Sequence, residues 1–432
     1  MKYGPETLPD LSVKPLQMIK ELKANVFLYA AILVYMFFSF TVATRLGIGS
    51  RVTVTSLLLI LAVSKAVLFD QDRYDLLSMR YELWIILIAV VMCLVKYLIQ
   101  DVPAIQRLYQ TFICPMVLSI LLFQAKPASR KMVRNLILLF FFVECLLAIY
   151  ERVSSINVFP YVDEDTIDNL ADLQFRATSI LGHPLMNALV VSTVMASVLI
   201  SDTKLVIKGA VYSLGLVSIL CFNARGATML WGLMSLITLF YLMRNKRTSR
   251  AAKQIIIIFV FIAAAGIAYL IFVQGFADRL INNNAQGGLY DSSAKARIDV
   301  FAAFEYVKDR DFIFGQTFYY LMITDKLGQA GVENSYIVFI LYYGIPAFIL
   351  LLIAYVFWLG KYFKNLVALE KCMLFLAFIV VGSANNSLVD QTPWMFFVLC
   401  ANSFLPDRKE YHGKKLSYES DSGGNLTYHY SS

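Results

Sequence analysis

Long apolar runs recur from Asn25 almost to the C-terminus, and short polar segments rich in charge separate them. A run of about 20 apolar residues is what a membrane-crossing helix needs. The pattern predicts twelve such helices: Asn25–Thr44, Val52–Phe69, Leu83–Leu98, Ile105–Phe123, Leu136–Tyr150, Ile180–Ile200, Leu205–Phe222, Ala227–Met243, Ile255–Val273, Ser335–Leu359, Cys372–Leu388 and Trp394–Leu405. The chain therefore divides into an N-terminal tail (1–24), helices one to nine (25–273), a long connection (274–333), helices ten to twelve (334–406) and a polar tail (407–432). The run Ser335–Leu359 contains Gly344 and Pro346, and is read as one kinked helix. Splitting it in two would put the basic Lys361–Lys371 loop on the wrong side.

Composition agrees with this reading. The chain is 59% hydrophobic and 16% charged, against about 45–50% and about 25% in soluble domains. The expected class is an all-α polytopic membrane protein. Alternating ten-residue segments, the mark of a transmembrane barrel, are absent from the sequence. The polar stretch Met1–Lys23 exceeds a usual signal-peptide n-region, so the first apolar run is expected to remain as a helix.

The net charge of +8 is not a nucleic-acid signature, because the basic residues cluster on alternate loops. Lys14, Lys20, Lys23, Lys126, Arg130, Lys131, Arg134, Arg244, Lys361, Lys364 and Arg408 all fall on one side of twelve spans. That side is expected to be cytoplasmic, with both termini on it. The opposite side then receives the acidic Arg152–Ser179 loop and the connection 274–333, within which Ser293–Lys308 has helical spacing.

Three arginines stand at helix mouths on that external side: Arg176, Arg225 and Arg297. Guanidinium forks bind phosphate oxygens in paired, charge-assisted bonds. Singly, each also suits a membrane interface. Nothing reads GxxxxGK[ST] or HExxH, and three histidines supply no metal-ligand set, so neither cofactor nor metal is expected. The six cysteines form no CxxC pair and read as small core hydrophobes. Glu144, Lys65 and Lys96 fall in or near spans. The lysines are expected to snorkel, while Glu144 has no role that the sequence assigns.

Four segments, "FRATSILGHPLMNAL", "NARGATMLWGL", "ARIDVFAAFEYVKDRDFIFG" and "ENSYIVFILYYGIPAF", come in an order that resembles the O-antigen ligase and polymerase superfamily. The resemblance covers most of Phe175–Pro346. It implies a GT-C-like, metal-independent, inverting glycosyltransferase of the cytoplasmic membrane. Such an enzyme takes sugars from a polyprenyl-diphosphate-linked donor at the outer face. The implied partners are that donor, a lipid-linked acceptor, membrane lipids and a chain-length regulator. Ligases carry a histidine before the tenth span, where this chain has Glu333 followed by Asn334, Ser335 and Tyr336. That departure favours a Wzy-like repeat-unit polymerase. The alternatives are a ligase acting on a lipid-A core and a transporter of lipid-linked sugars.

On this reading Arg297 stabilises the leaving diphosphate and Glu333 takes the acceptor proton. Arg176, Arg225, His183, Asn334, Tyr336 and Asp390 bind substrate. Three of these residues have a second reading. Glu333 also suits a helix N-terminus, His183 with Pro184 suits a helix start, and Asp390 suits a cap.

Overall fold

A computed structural model of the protein describes residues 25–38, 42, 51–69, 77–160, 175–244, 254, 269, 300–308, 311–327, 334–364, 366–383 and 392–405. For a few helical residues, Arg225 among them, it describes the backbone alone. The regular elements among the described residues are all helices, with no strand among them. In chain order the helices are α1 (Val26–Phe37), α2 (Arg51–Phe69), α3 (Arg80–Leu98), α4 (Val102–Phe123), α5 (Pro127–Ser154), α6 (Pro184–Ile200), α7 (Leu205–Phe222) and α8 (Arg225–Arg244). A 3₁₀ turn at Val300–Tyr306 follows. Then come α9 (Asp311–Phe314), α10 (Thr317–Leu327), α11 (Ser335–Tyr343), α12 (Ile345–Phe363), α13 (Ala368–Ser383) and α14 (Thr392–Phe404).

Among the described residues α3, α4, α5 and α12 are long and apolar enough to cross a membrane. Shorter apolar helices accompany them. The helix α6 sits at the centre, packed against α5, α7, α8, α13 and α14. Its burial is nearly all-round, from Asn187 to Ile200, as expected of a helix without a polar face. Within α4 a π turn at Tyr109–Ile113 precedes Pro115. Proline has no N–H for the usual bond four residues back, so the ladder widens there.

Several expected helices agree with these bounds to within three residues: Val52–Phe69, Leu83–Leu98, Leu205–Phe222, Ala227–Met243 and Trp394–Leu405. Others need correction. The sixth helix begins at Pro184, and Ile180–Gly182 form a turn. The fifth extends from Pro127 to Ser154, well beyond Leu136–Tyr150. The tenth is not one helix. Gly344, at φ 84°, separates α11 from α12, because its Cα lies against the Ile313 carbonyl where a side chain would not fit. At nine residues α11 is about 14 Å long and cannot cross a bilayer by itself. Residues 311–327, read as part of the long connection 274–333 and beyond its expected helical segment Ser293–Lys308, form α9 and α10 packed on α11 and α12. The expected ninth helix, apart from residues 254 and 269, lies outside the described residues.

Candidate functional site

The far end of α5 carries two acids seven residues apart, Glu144 and Glu151, which two helical turns bring to one face. Both are fully buried. Glu151 accepts hydrogen bonds from the backbone N–H groups of Val158 (2.7 Å), Thr178 (2.7 Å) and Ser179 (2.8 Å). Glu144 accepts from Ile180 N–H at 3.2 Å, and its own carbonyl accepts from the Ser179 hydroxyl at 3.0 Å. The Asn187 amide of α6 donates to the Thr178 carbonyl, and Ala177 N–H donates to the Cys221 carbonyl of α7. The segment Ala177–Gly182 is therefore an irregular, buried loop in which the N–H groups of Thr178, Ser179 and Ile180 are met by carboxylates rather than by a helix ladder. Gly182, at φ 74°, turns it into His183, and Pro184 starts α6.

This loop fixes Arg176. Its Nε donates to the Phe222 carbonyl at the end of α7, 3.1 Å away. Carbonyls at a helix C-terminus attract cations. Arg152 donates to the Phe175 carbonyl beside it, at 2.6 Å. Arg176 is half-buried, at the mouth where α5, α6 and α7 meet. Burial, and next the Arg176 charge, lower the pKa of His183 to about 4. Near pH 7 this imidazole is neutral, able to donate one hydrogen bond and accept another. Asn223, left-handed at φ 53°, ends α7, and the backbone of Arg225 opens α8 three residues after Phe222. One end of the α5–α8 bundle thus holds Arg176, His183 and the backbone of Arg225. A fixed guanidinium beside a neutral imidazole suits an anionic ligand.

The remaining expected site residues are elsewhere. Asn334 is the N-cap of α11, accepting from Tyr336 N–H (3.1 Å) and Ile337 N–H (3.3 Å). Tyr336 is half-buried, its ring edge-on to Phe348 at 5.8 Å. Both begin a helix of a second core cluster, separate from the one that holds Ala177, Ile180 and Leu181. Arg297, Glu333 and Asp390 lie outside the described residues.

That second cluster contains a constellation missed in the sequence. Lys96 does not snorkel: it is 2% exposed, and its ammonium donates to the Phe314 (2.8 Å) and Gly315 (2.7 Å) carbonyls with Asp101 3.7 Å away. Asp101 caps α4 through Ala104 N–H and also accepts from Thr317 N–H at 2.9 Å. Tyr319 donates to Asp311, and Arg107 stacks 4.8 Å from the centre of the Tyr342 ring. The Lys96 and Asp101 bonds dock α9 and α10 onto the bundle, and the Tyr319–Asp311 bond ties those two helices to each other. The signal was present, since a lysine in an apolar run with no nearby exit calls for a carboxylate or carbonyl partner. No group of three or more His, Cys, Asp or Glu side chains gathers among the described residues. Four of the six cysteines are buried, but Cys93 is half-buried and Cys372 is exposed, which corrects their uniform reading as core residues. No protein-family model matches the chain, and no curated protein matches it.

Proposed function

We propose that the protein is a membrane glycosyltransferase that polymerises polyprenyl-diphosphate-linked repeat units at the outer face of the cytoplasmic membrane. The reading includes twelve spans, a GT-C-like arrangement, both termini in the cytoplasm and an inverting reaction without metal. The observation that carries it is Arg176, held on a carboxylate-anchored loop at a helix mouth beside neutral His183. The order of the four segments through Phe175–Pro346 supports it as well.

The chemistry asks little of a general acid, because a diphosphate is already a good leaving group. As the bond from the anomeric carbon to diphosphate breaks, negative charge grows on the phosphate oxygens. Cations held in place beforehand stabilise that charge most effectively. Arg176 fills that role with Arg225 and Arg297, and His183 donates a neutral hydrogen bond. The acceptor hydroxyl attacks the opposite face, which inverts the anomeric centre, and Glu333 takes its proton. Asn334, Tyr336 and Asp390 bind sugar hydroxyls or shape the acceptor side.

Purified protein incubated with lipid-diphosphate-linked repeat units, without ATP or divalent metal, should give a ladder of products on a gel. Transfer of preformed glycan to a lipid-A core, with no ladder, would establish a ligase. Movement of the lipid-linked sugar across a vesicle membrane, without new glycosidic bonds, would establish a transporter.

A further inference from the structure

Between α3 and α12 runs an apolar groove of about 860 Å³. Trp84, Leu87 and Val91 form one wall, and Leu350, Ile353 and Phe357 the other. All six are exposed. From Arg80 at one end to Lys96 at the other, α3 rises about 24 Å, most of the ~30 Å hydrocarbon thickness of a bilayer. A groove of this shape takes a hydrocarbon chain, and charge at its ends decides which kind.

The two ends differ. At one, the Lys96 ammonium is buried and already engaged by Phe314, Gly315 and Asp101, so it offers nothing to a ligand. At the other, the Arg80 guanidinium donates to the Tyr81 hydroxyl (2.7 Å) and lies 4.7 Å from the centre of that ring. Tyr81 in turn stacks on Phe357, with ring planes 7° apart. No carboxylate among the described residues pairs with Arg80. Two other cations at this end are engaged: Lys361 by Glu82, and Arg134 by Asp202 and Ser403. Arg80 keeps donors for a phosphate, at the end of the bundle opposite Arg176.

We infer that the α3–α12 groove binds an anionic glycerophospholipid, with an acyl chain along Trp84, Leu87 and Phe357 and the phosphate on Arg80. Basic sites between membrane helices bind acidic headgroups in this way. The inference does not rest on the proposed transfer reaction, because the headgroup end lies away from Arg176. A polyprenyl diphosphate seated with its head at Lys96 is the competing occupant, and the saturated Lys96 disfavours it.

The test uses Trp84, which lines the groove and is 60% exposed, whereas Trp358 and Trp394 are fully buried and Trp231 is half-buried, stacked on Tyr212. The full chain is reconstituted in phosphatidylcholine vesicles. These carry 20 mol% of a dibrominated lipid, either phosphatidylglycerol or phosphatidylcholine, a composition chosen for the assay. Contact with bromine quenches tryptophan, and a Trp84→Phe variant isolates the Trp84 component. Brominated phosphatidylglycerol should associate about fivefold better than phosphatidylcholine, the ratio that one basic residue near an acidic headgroup gives. Arg80→Gln should bring the ratio to about one, with unchanged thermal unfolding, because Arg80 is exposed and its hydrogen bond and ring contact among the described residues are with Tyr81. Equal quenching by the two lipids in the native chain would overturn the inference. So would a preference that survives Arg80→Gln, or relief of quenching by polyprenyl phosphate but not by unbrominated phosphatidylglycerol.

Discussion

At the start of α3, Glu82 accepts hydrogen bonds from Ser119 of α4 and from Trp358 and Lys361 of α12. At the far end of α5, Glu151 accepts three bonds as well, all from backbone N–H groups: that of Val158 just past the helix and those of Thr178 and Ser179 in the irregular loop. Both carboxylates are fully buried. The first ties helices to each other through side chains, with Asn402 and Tyr362 extending the network. The second lets a non-helical loop exist inside the protein, where its N–H groups would otherwise have no acceptor. One end of the molecule is locked as a bundle. The other spends its buried acids on shaping a loop, and that loop carries Arg176 and His183.

The contrast has consequences for substitutions. Glu151→Ala should have the largest effect, since each buried donor left unmade costs about 1–3 kcal/mol and three are released. Thermal unfolding in detergent should fall sharply, and no second substitution should restore it, because the orphaned groups are backbone. Glu151→Gln keeps one acceptor oxygen and should lose less. Glu82→Ala should follow, at about 3–5 kcal/mol, the cost of leaving one member of a buried ion pair alone. Here Lys361→Met in the same chain should recover much of the loss, measured as a double-mutant cycle. If Glu151→Ala could be rescued in the same way, the distinction between the two ends would collapse.

Gly344→Ala should cost about 1–3 kcal/mol through its left-handed backbone, with a further penalty where the new Cβ meets Ile313. Its effect should be local. Hydrogen exchange should speed up in α9 and α10, while the Ala177–Gly182 amides keep their protection. The effect of His183 is confined to acidic pH and is absent near neutrality. Its folded pKa of about 4 lies below the unfolded value of about 6.5. Between those values the unfolded chain binds the extra proton, so stability should decline as pH falls from about 6.5 to 4 and show no His183 contribution above that window. His183→Gln should flatten that slope in a pH series of unfolding curves.

Much of the helical frame was legible in the sequence. Val52–Phe69 and Leu205–Phe222 are uniform apolar runs with polar or turn-forming ends, so local pattern and tertiary structure agree. Ile180–Gly182 was misread because its residues are as apolar as the helix that follows. The carboxylates that hold it out of the helix lie 28 to 36 residues away in sequence. The break at Gly344 was visible as a Gly–Pro signal, but its cause, the approach of Ile313, is a long-range contact. Asp311–Leu327 escaped because its apolar positions make two short helices whose stability comes from Lys96 and Asp101, more than 200 residues away. In the candidate site, Arg176 and His183 could be named from residue type and position. Glu151 could not, since an acid near a helix end reads as a surface residue until its partners are known.

The central claim is that Arg176 stabilises charge on a departing diphosphate. The most direct measurement is the turnover of lipid-diphosphate-linked repeat units by Arg176→Ala and Arg176→Lys proteins, folded to the same extent as the native chain. Arg51→Ala, at the start of α2, serves as the control. The account expects kcat to fall about 10²–10³-fold for Arg176→Ala. A substantial part of that loss should persist in Arg176→Lys, which keeps the charge but not the planar fork. Turnover of both Arg176 variants equal to that of Arg51→Ala would contradict it.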